Sequence, residues 1–471
     1  MMNSRMSRRS FLTSTAKVSA LAAFGSVIAA CAPAAPGAPA DGGGDAAPST
    51  EPIVLEFTQW GEGVVPGEQP PNYEPFLEEN PHITIEHYSY PDYDQKLYLM
   101  LASGDMPDVF RTQDEPFLLN VKRGIYLNLE SYLEIDAANF NQSEFYPGTW
   151  ETFKYDTGSG VFGEGDQWAI PSTGGCILWI VNKDVFAAAG VDFPENNGWD
   201  WTTDDFIEIG QQIADVNEDG SINTAFFPWP GGVYNMPHVW TLDAEYFTPD
   251  KATCLLGEEQ SIVAHQWLWD IIHTHRLTSV TGVELTGMSS SELLLSGKLA
   301  MQMNGPWGRR PFYDAGEDFA ESWDFLHVPI NPATGERGTR QTWDGTAISP
   351  QTEHADEAWE VVKFEASDWK LELTAKEGRH GSAKISIAEG PYFGANEESP
   401  QNEQVYNDAL EYARLQPITE YWGQQWDIIG HYYDLMYNPE VAMSPEEACP
   451  AMGQDVQYLL DNGEIPPSYT L

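Results

Sequence analysis

The chain has 471 residues, 42% of them hydrophobic, with 17 Trp, 21 Tyr and 21 Phe, enough apolar surface for more than one core. Its 72 acidic against 23 basic side chains give a formal net charge of −49, a field that repels phosphate backbones and anionic head groups and argues against nucleic-acid binding. The acids are scattered rather than gathered in one tail, which reads as the solvated surface of a folded protein; an acidic cleft for a cationic ligand is the alternative.

Ser7-Arg8-Arg9-Ser10-Phe11-Leu12 is a twin-arginine export signal. A stretch rich in Ala, Leu, Val and Ile, broken only by Lys17, runs from it to Ile28-Ala29-Ala30-Cys31. A basic start, a short apolar run and small residues at the cut make a removable signal peptide over residues 1–30. The apolar run is too short and too rich in small residues for a permanent spanning helix, the competing reading. The cysteine at the cut predicts a bacterial lipoprotein acylated on Cys31. Residues 31–52, mostly Ala, Pro, Gly, Ser, Thr and Asp, predict a flexible tether that cannot bury enough surface to order itself. The first 30 residues hold four basic side chains and no acid, so the remainder carries a net charge of −53.

Folded sequence begins near Ile53. Val54–Trp60 reads as a first strand, 75–80 as a short helix and 82–88 as a second strand. Asp92 with Gln95 predicts a capped helix ended by Gly104, and 108–110 begins a third strand. Residues 176–181 form an apolar run that reads as one buried strand, with Cys176 a small core residue at its start. Cys176, Cys254 and Cys449 allow at most one disulfide, and the spacing does not choose the pair. Asn182 caps a helix closed by Gly190, and Thr202 with Asp205 forms a capping box before Phe206, Ile209 and Ile213. Helical signals recur over 261–273, 355–364, 402–415 and 444–460. Strands alternating with helices predict an α/β protein, and some 420 residues predict two domains.

Taken in order, several segments resemble the extracellular solute-binding proteins of ATP-driven importers, in particular the large sugar-binding group. They include Phe76-Leu77-Glu78-Glu79-Asn80-Pro81, the run from Tyr93 to Phe110 through Ser103-Gly104-Asp105-Met106-Pro107-Asp108, and Trp168-Ala169-Ile170-Pro171 leading to Trp179 through Phe186. Trp201 to Phe206, Ser296 to Met301, Asn304-Gly305-Pro306-Trp307 and 355–364 continue the series. The resemblance spans roughly 53–365 and weakens beyond. It implies a periplasmic-binding-protein-like fold, two α/β lobes joined by crossover strands near 169–175 and 331–345, with the ligand in the cleft between them. One lobe would comprise 53–170 and 344–385, the other 173–330 and 386–471 with the C-terminal helices. It further implies a monomeric, lipid-anchored protein outside the cytoplasmic membrane that hands a solute to permease subunits, with no cofactor and no catalysis.

A sugar cleft wants aromatic platforms for flat apolar faces and polar side chains for hydroxyls. The resemblance places a stacking aromatic at Trp307, held by the Asn304-Gly305-Pro306 turn, and a hydroxyl-binding acid at Asp114, with Gln113 beside it. Asp114 and Trp60 also follow strands, where ligands meet α/β sheets at carboxyl ends. Trp343 and Asp344 fall on the cleft floor if the second crossover is placed correctly. Trp229, Trp240, Trp422 and Trp426 are further aromatic candidates. Relatives carry Gly-Gly after the Trp240 position where this chain reads Asp243-Ala244-Glu245, which bears on ligand identity. Asp215, Asn217, Asp219 and Asn223, with Gly220, resemble the front of a calcium loop, but Phe226 stands where a bidentate acid is required, so an Asx-rich turn is the favoured reading. No nucleophile elbow, zinc-protease helix or phosphate loop occurs. A surface-anchored carbohydrate-active enzyme is the competing function. The same fold binding a peptide or cation is a third.

Overall fold

The computed structural model describes residues 52–61, 67–138, 140–194, 200–217, 222–229, 231–278, 288–377, 380–391, 404–467 and 469. Cys31 and Asp219 lie outside the described residues.

Three parallel strands open the fold: β1 (Ile53–Trp60), β2 (Ile83–Tyr90) and β3 (Val109–Gln113). The intervening helix Tyr93–Ser103 ends at Gly104, whose φ of 74° is the left-handed conformation that favours glycine. The capping box expected of Asp92 and Gln95 is not seen at Asp92. Its backbone (φ −95°, ψ 51°) is not extended, and its side chain makes no cap hydrogen bond. A small antiparallel sheet follows, β4 (Lys154–Asp156), β5 (Val161–Phe162) and β6 (Asp166–Gln167).

The apolar run read as one strand is two. β7 (Ile170–Cys176) ends one residue before β8 (Leu178–Asn182), and the two belong to different sheets. β8 is central to a second sheet, flanked antiparallel by β11 (Met301–Asn304) and β12 (Trp323–Leu326). Leu178 and Ile180 enter one core cluster, Ile177, Trp179 and Val181 another. Burial on both faces explains why the sequence shows no alternation there. Asn182 caps the next helix through Asp184 and Val185, and Gly190 closes it. The Thr202–Asp205 capping box forms as read. Between these and β11 lies a hairpin of β9 (Asp215–Val216) and β10 (Ile222–Thr224).

β13 (Thr339–Ile348) returns to the first sheet and inserts between β7 and β3, antiparallel to both. β14 (Gly381–Ser382) adds to β7 and β15 (Ala413–Leu415) to β13, giving the order β14-β7-β13-β3-β1-β2 with β15 on β13. Residues 402–415, read as one helical stretch, thus hold the short helix Val405–Ala409 and then a strand. The return segment 344–385 divides between the cores. Ala358, Val361 and Val362 pack with the first sheet, whereas Leu371 and Ala375 pack with Leu178 and Phe325 of the second. A fourth cluster is helical, joining Met236, Val239 and Leu268 to Ile428, Tyr433, Met452 and Val456. Cys176, Cys254 and Cys449 are free and buried. Among the described residues, no helix is long and apolar enough to cross a membrane.

Candidate functional site

Side chains two apart on a strand share a face. On the first sheet that rule gathers one polar surface. His87 and Ser89 of β2, Phe57 and Gln59 of β1, Arg111 and Gln113 of β3, and Arg340, Thr342 and Asp344 of β13 all line one cavity of about 690 Å³. The register agrees, pairing Phe57 with His87, Gln59 with Ser89 and Asp344 with Gln113. The cavity thus lies at the carboxyl ends of β1, β2 and β3, where open α/β sheets hold ligands. Trp60 stands at one side, its ring 4.7 Å from that of Tyr93 and its indole N–H bonded to Asp94. Opposite are Val233, Tyr234 and Trp307, from turns that adjoin the second sheet.

The Trp307 ring is held by its own turn. A Cβ at Gly305 would come within 2.1 Å of two ring carbons, so glycine is required there for the ring to lie against the backbone. The indole N–H of Trp307 bonds to the Tyr234 hydroxyl, and the ring lies near-parallel to His380 at 6.3 Å. Gly175 on β7 lets Pro306 approach, since a Cβ there would stand 2.6 Å from its ring.

The floor's charges are paired internally. Arg111 donates from Nη1 to Ser172 at 2.9 Å and Glu365 at 3.3 Å, and from Nη2 to Thr173 at 2.8 Å; Nη2 also lies 3.7 Å from Asp344. Lys370 lies 3.6 Å from Glu365 and 4.5 Å over the Tyr73 ring, while the Tyr73 hydroxyl donates to Glu365. Burial alone would raise the Glu365 pKa, but Lys370 and Arg111 outweigh it and hold the carboxyl below its ordinary range. Arg340 donates to Glu115 at 2.6 Å and stands 3.8 Å from Asp114. Burial pushes Asp344 and Asp114 upward, opposed by Arg111 and Arg340 respectively. His87, 3% exposed, is pushed down to about 4 by burial, so its ring is neutral at pH 7 and carries one donor and one acceptor. Neither ring nitrogen has a partner among the described residues.

Of the residues singled out from sequence, Trp60, Gln113, Trp307 and Asp344 line this cavity. Asp114 does not. It starts the helix Asp114–Lys122 fully buried behind the floor and accepts the Thr342 hydroxyl at 2.7 Å. Trp343, one residue out of phase with Asp344, is 1% exposed in the core on the other face, its N–H on Gln341. Trp240 is buried in the helical cluster; Trp422 and Trp426 pack partly buried against it. Trp229 lines a separate chamber. At the calcium-like loop, the Asn223 amide donates to Asp215 at 3.1 Å, tying the hairpin's arms. Among the described residues, no three His, Cys, Asp or Glu side chains are placed to hold a metal ion. The residues missed were Gln59, His87, Arg111, Thr173, Tyr234, Arg340, Glu365 and Lys370. For those on strands the signal is polar spacing by two, as in Arg111-x-Gln113 and Arg340-x-Thr342-x-Asp344; Tyr234, Glu365 and Lys370 lie on helical elements and carry no such signal.

Two sheets joined by crossovers, with a polar cleft at the strand ends, define a two-lobed α/β binding-protein fold. The model of the bacterial extracellular solute-binding protein family matches residues 62–368, and the chain belongs to that family. An arabinooligosaccharide-binding protein of Halalkalibacterium halodurans is 22% identical over 287 residues, 60% of this chain and 59% of that relative. A maltotriose-binding protein of Pyrococcus abyssi is 20% identical over 60% of this chain and 56% of its own length. The chain thus spans less than three fifths of the length of these curated relatives. Among solved structures, an ABC substrate-binding protein of Listeria monocytogenes in complex with cycloalternan superposes with a TM-score of 0.73 at 20% identity, over 87% of this chain and 100% of that one. The Thermus thermophilus maltotriose binding protein bound with maltotriose gives 0.66 at 15%, over 87% and 100%. At these identities the superpositions establish the fold.

Proposed function

We propose that this protein is the extracytoplasmic solute-binding lipoprotein of an ATP-driven importer, anchored through Cys31, acting as a monomer, and that its cleft captures a neutral sugar or oligosaccharide for delivery to permease subunits. The observation that carries the reading is the polar sheet face set between two aromatic walls, Trp60 on one side and Trp307 with Tyr234 on the other. Aromatic rings suit the apolar faces of a sugar, and the Gln, Ser, Thr, His and paired charged groups between them suit its hydroxyls.

Charge favours a neutral ligand. Arg111, Arg340 and Lys370 each already have a carboxylate partner, so an anion would have to displace one. The names of the relatives, which bind arabinooligosaccharide and maltotriose, support the same solute class. The proposed work is lobe closure driven by tighter binding to the closed state, with no covalent step.

Thermal shift across mono- to oligosaccharides, acidic sugars, peptides and polyamines tests this. A solute at a hundred times its Kd stabilises by about 2.7 kcal/mol, and the neutral sugars should supply the shift. A shift only with peptides or polyamines, or hydrolysis products on incubation with oligosaccharides, would sink the reading.

A further inference from the structure

A second chamber of about 450 Å³ adjoins the cleft, and Tyr234 lines both. The Asn304-Gly305-Pro306-Trp307 turn spans the same boundary, with Asn304 in the chamber and Trp307 in the cleft. The two volumes together exceed the roughly 300–1,000 Å³ of a site for one drug-sized ligand. The chambers differ in chemistry. Arg, Lys, Asp and Glu crowd the floor of the cleft, whereas no charged side chain lines the second chamber among the described residues, in a chain that is 20% charged.

That chamber has two kinds of wall. Trp229 and Tyr234, both half-buried, offer aromatic surface, and Ser290 and Asn304 offer neutral donors and acceptors. Trp229 is half-buried, with an edge-on contact of 5.5 Å to Tyr437, and Gly231 lies so close that a Cβ there would meet the indole at 3.4 Å. Ser289 fixes the serine arc by capping the helix Ser290–Leu295 in a capping box with Glu292, and the Gln302 amide donates to Ser291 at 3.1 Å. Trp179 also lines the chamber, 1% exposed, and its indole N–H finds no acceptor among the described residues.

We infer that the second chamber is a binding site for further glycosyl units of the ligand, so that the preferred solute is an oligosaccharide whose chain passes Tyr234 from the charged cleft into the uncharged chamber. This rests on the sugar-binding reading and adds to it a chain length and a direction. The unit in the chamber stacks on aromatic surface and meets amides and hydroxyls. It carries no charge, because no lining side chain among the described residues would neutralise one.

Calorimetric titration of the full chain with mono-, di-, tri- and tetrasaccharides of the arabino- and malto- series tests it. Affinity should rise about tenfold or more at the length that first reaches the chamber, as expected where an aromatic platform and hydroxyl contacts are added. Trp229→Ala should remove that increment and leave the shortest binding sugar unaffected. Ser290→Phe, which fills the chamber from the half-buried first residue of its helix, should do the same without lowering the melting temperature, which separates blockage from misfolding. Trp307→Ala should weaken every length alike. Equal affinity across lengths, or a Ser290→Phe variant that keeps the increment, would overturn the inference while leaving the cleft a sugar site. Binding of none of the sugars would overturn both.

Discussion

Trp307 and Trp179 are both indoles near the crossover, yet they should fail differently when truncated. Trp307 lies half-buried against the Gly305 backbone with the cleft beside it. Trp307→Ala should cost about tenfold in affinity for the bound sugar, since an aromatic contact is worth roughly 0.5–1.5 kcal/mol beyond its area, while the ligand-free melting temperature falls little. Trp179 is 1% exposed, with Phe206 and Phe227 rings within 5.8 Å. Trp179→Ala should lose about 3–5 kcal/mol of stability by denaturant titration. A Trp307 variant that binds normally but unfolds early would mean the ring is packing and the cleft lies elsewhere. Residue type made the aromatics visible in the sequence, but among 17 Trp it could not sort platform from core. Trp343 and Asp344 show why: neighbours on one strand point to opposite faces, and only the register says which face is the cleft. Arg111 and Arg340 were illegible for a related reason, because their carboxylate partners lie far along the chain, Glu365 being 254 residues from Arg111.

At the scale of elements, two of the three caps read from sequence form because their signals are local, whereas the one at Asp92 does not. Asn182 with Gly190 and Thr202 with Asp205 need only neighbours three or so residues away. The break at Ile177 was not legible, because nothing local distinguishes one buried strand from two that change sheets; its amide is claimed by the Arg340 carbonyl of a distant strand. The helix Met236–Thr241 buries His238 among Trp179, Phe206, Phe227 and Trp267, and burial lowers its pKa from 6.5 to about 3. A base depressed on folding binds fewer protons folded than unfolded. Its contribution is therefore intact above pH 6.5 and is lost as pH falls from 6.5 toward 3. His265, at about 4, has the same sign, while Asp94, raised to about 6 by burial, has the opposite one. His238→Phe keeps the ring and removes one titration, so the variant should lose less melting temperature than the parent between pH 6.5 and 4. Parallel pH profiles for the two proteins would contradict this.

For the whole molecule, the charge of −49 sets the conditions under which the other effects are read. Self-repulsion among exposed carboxylates is screened as the Debye length falls from about 10 Å at 0.1 M salt to about 3 Å at 1 M, so comparisons between variants belong at one ionic strength. The proposed anchor can be separated from the binding fold, because β1 begins only at Ile53. Cys31→Ser should release the protein from membranes on fractionation and leave sugar affinity unchanged. Membrane retention of that variant would argue against acylation at Cys31. The mixed α/β class was legible in the alternation of strands and helices along the chain. The assignment of 368–376 to a particular core was not, since the apolar face of that helix, Leu371 and Ala375, fits either sheet until the fold brings Phe325 against it.

β13 lies inside the first sheet between β7 and β3, yet its residues fall in the chain's final third. A ribosome that has delivered everything up to residue 338 has therefore produced a sheet with a slot in it, the β3 and β7 edges bare of their shared neighbour. Bare edges invite pairing with other chains, and such distant closures are slow to form. The N-terminal lobe, although translated first, is completed late, and the nascent chain has to be kept from self-association for most of its synthesis. A fragment ending at residue 338 should aggregate in light scattering, whereas the full chain should stay dispersed; a soluble, cooperatively melting fragment would show that the lobe closes without its inner strand.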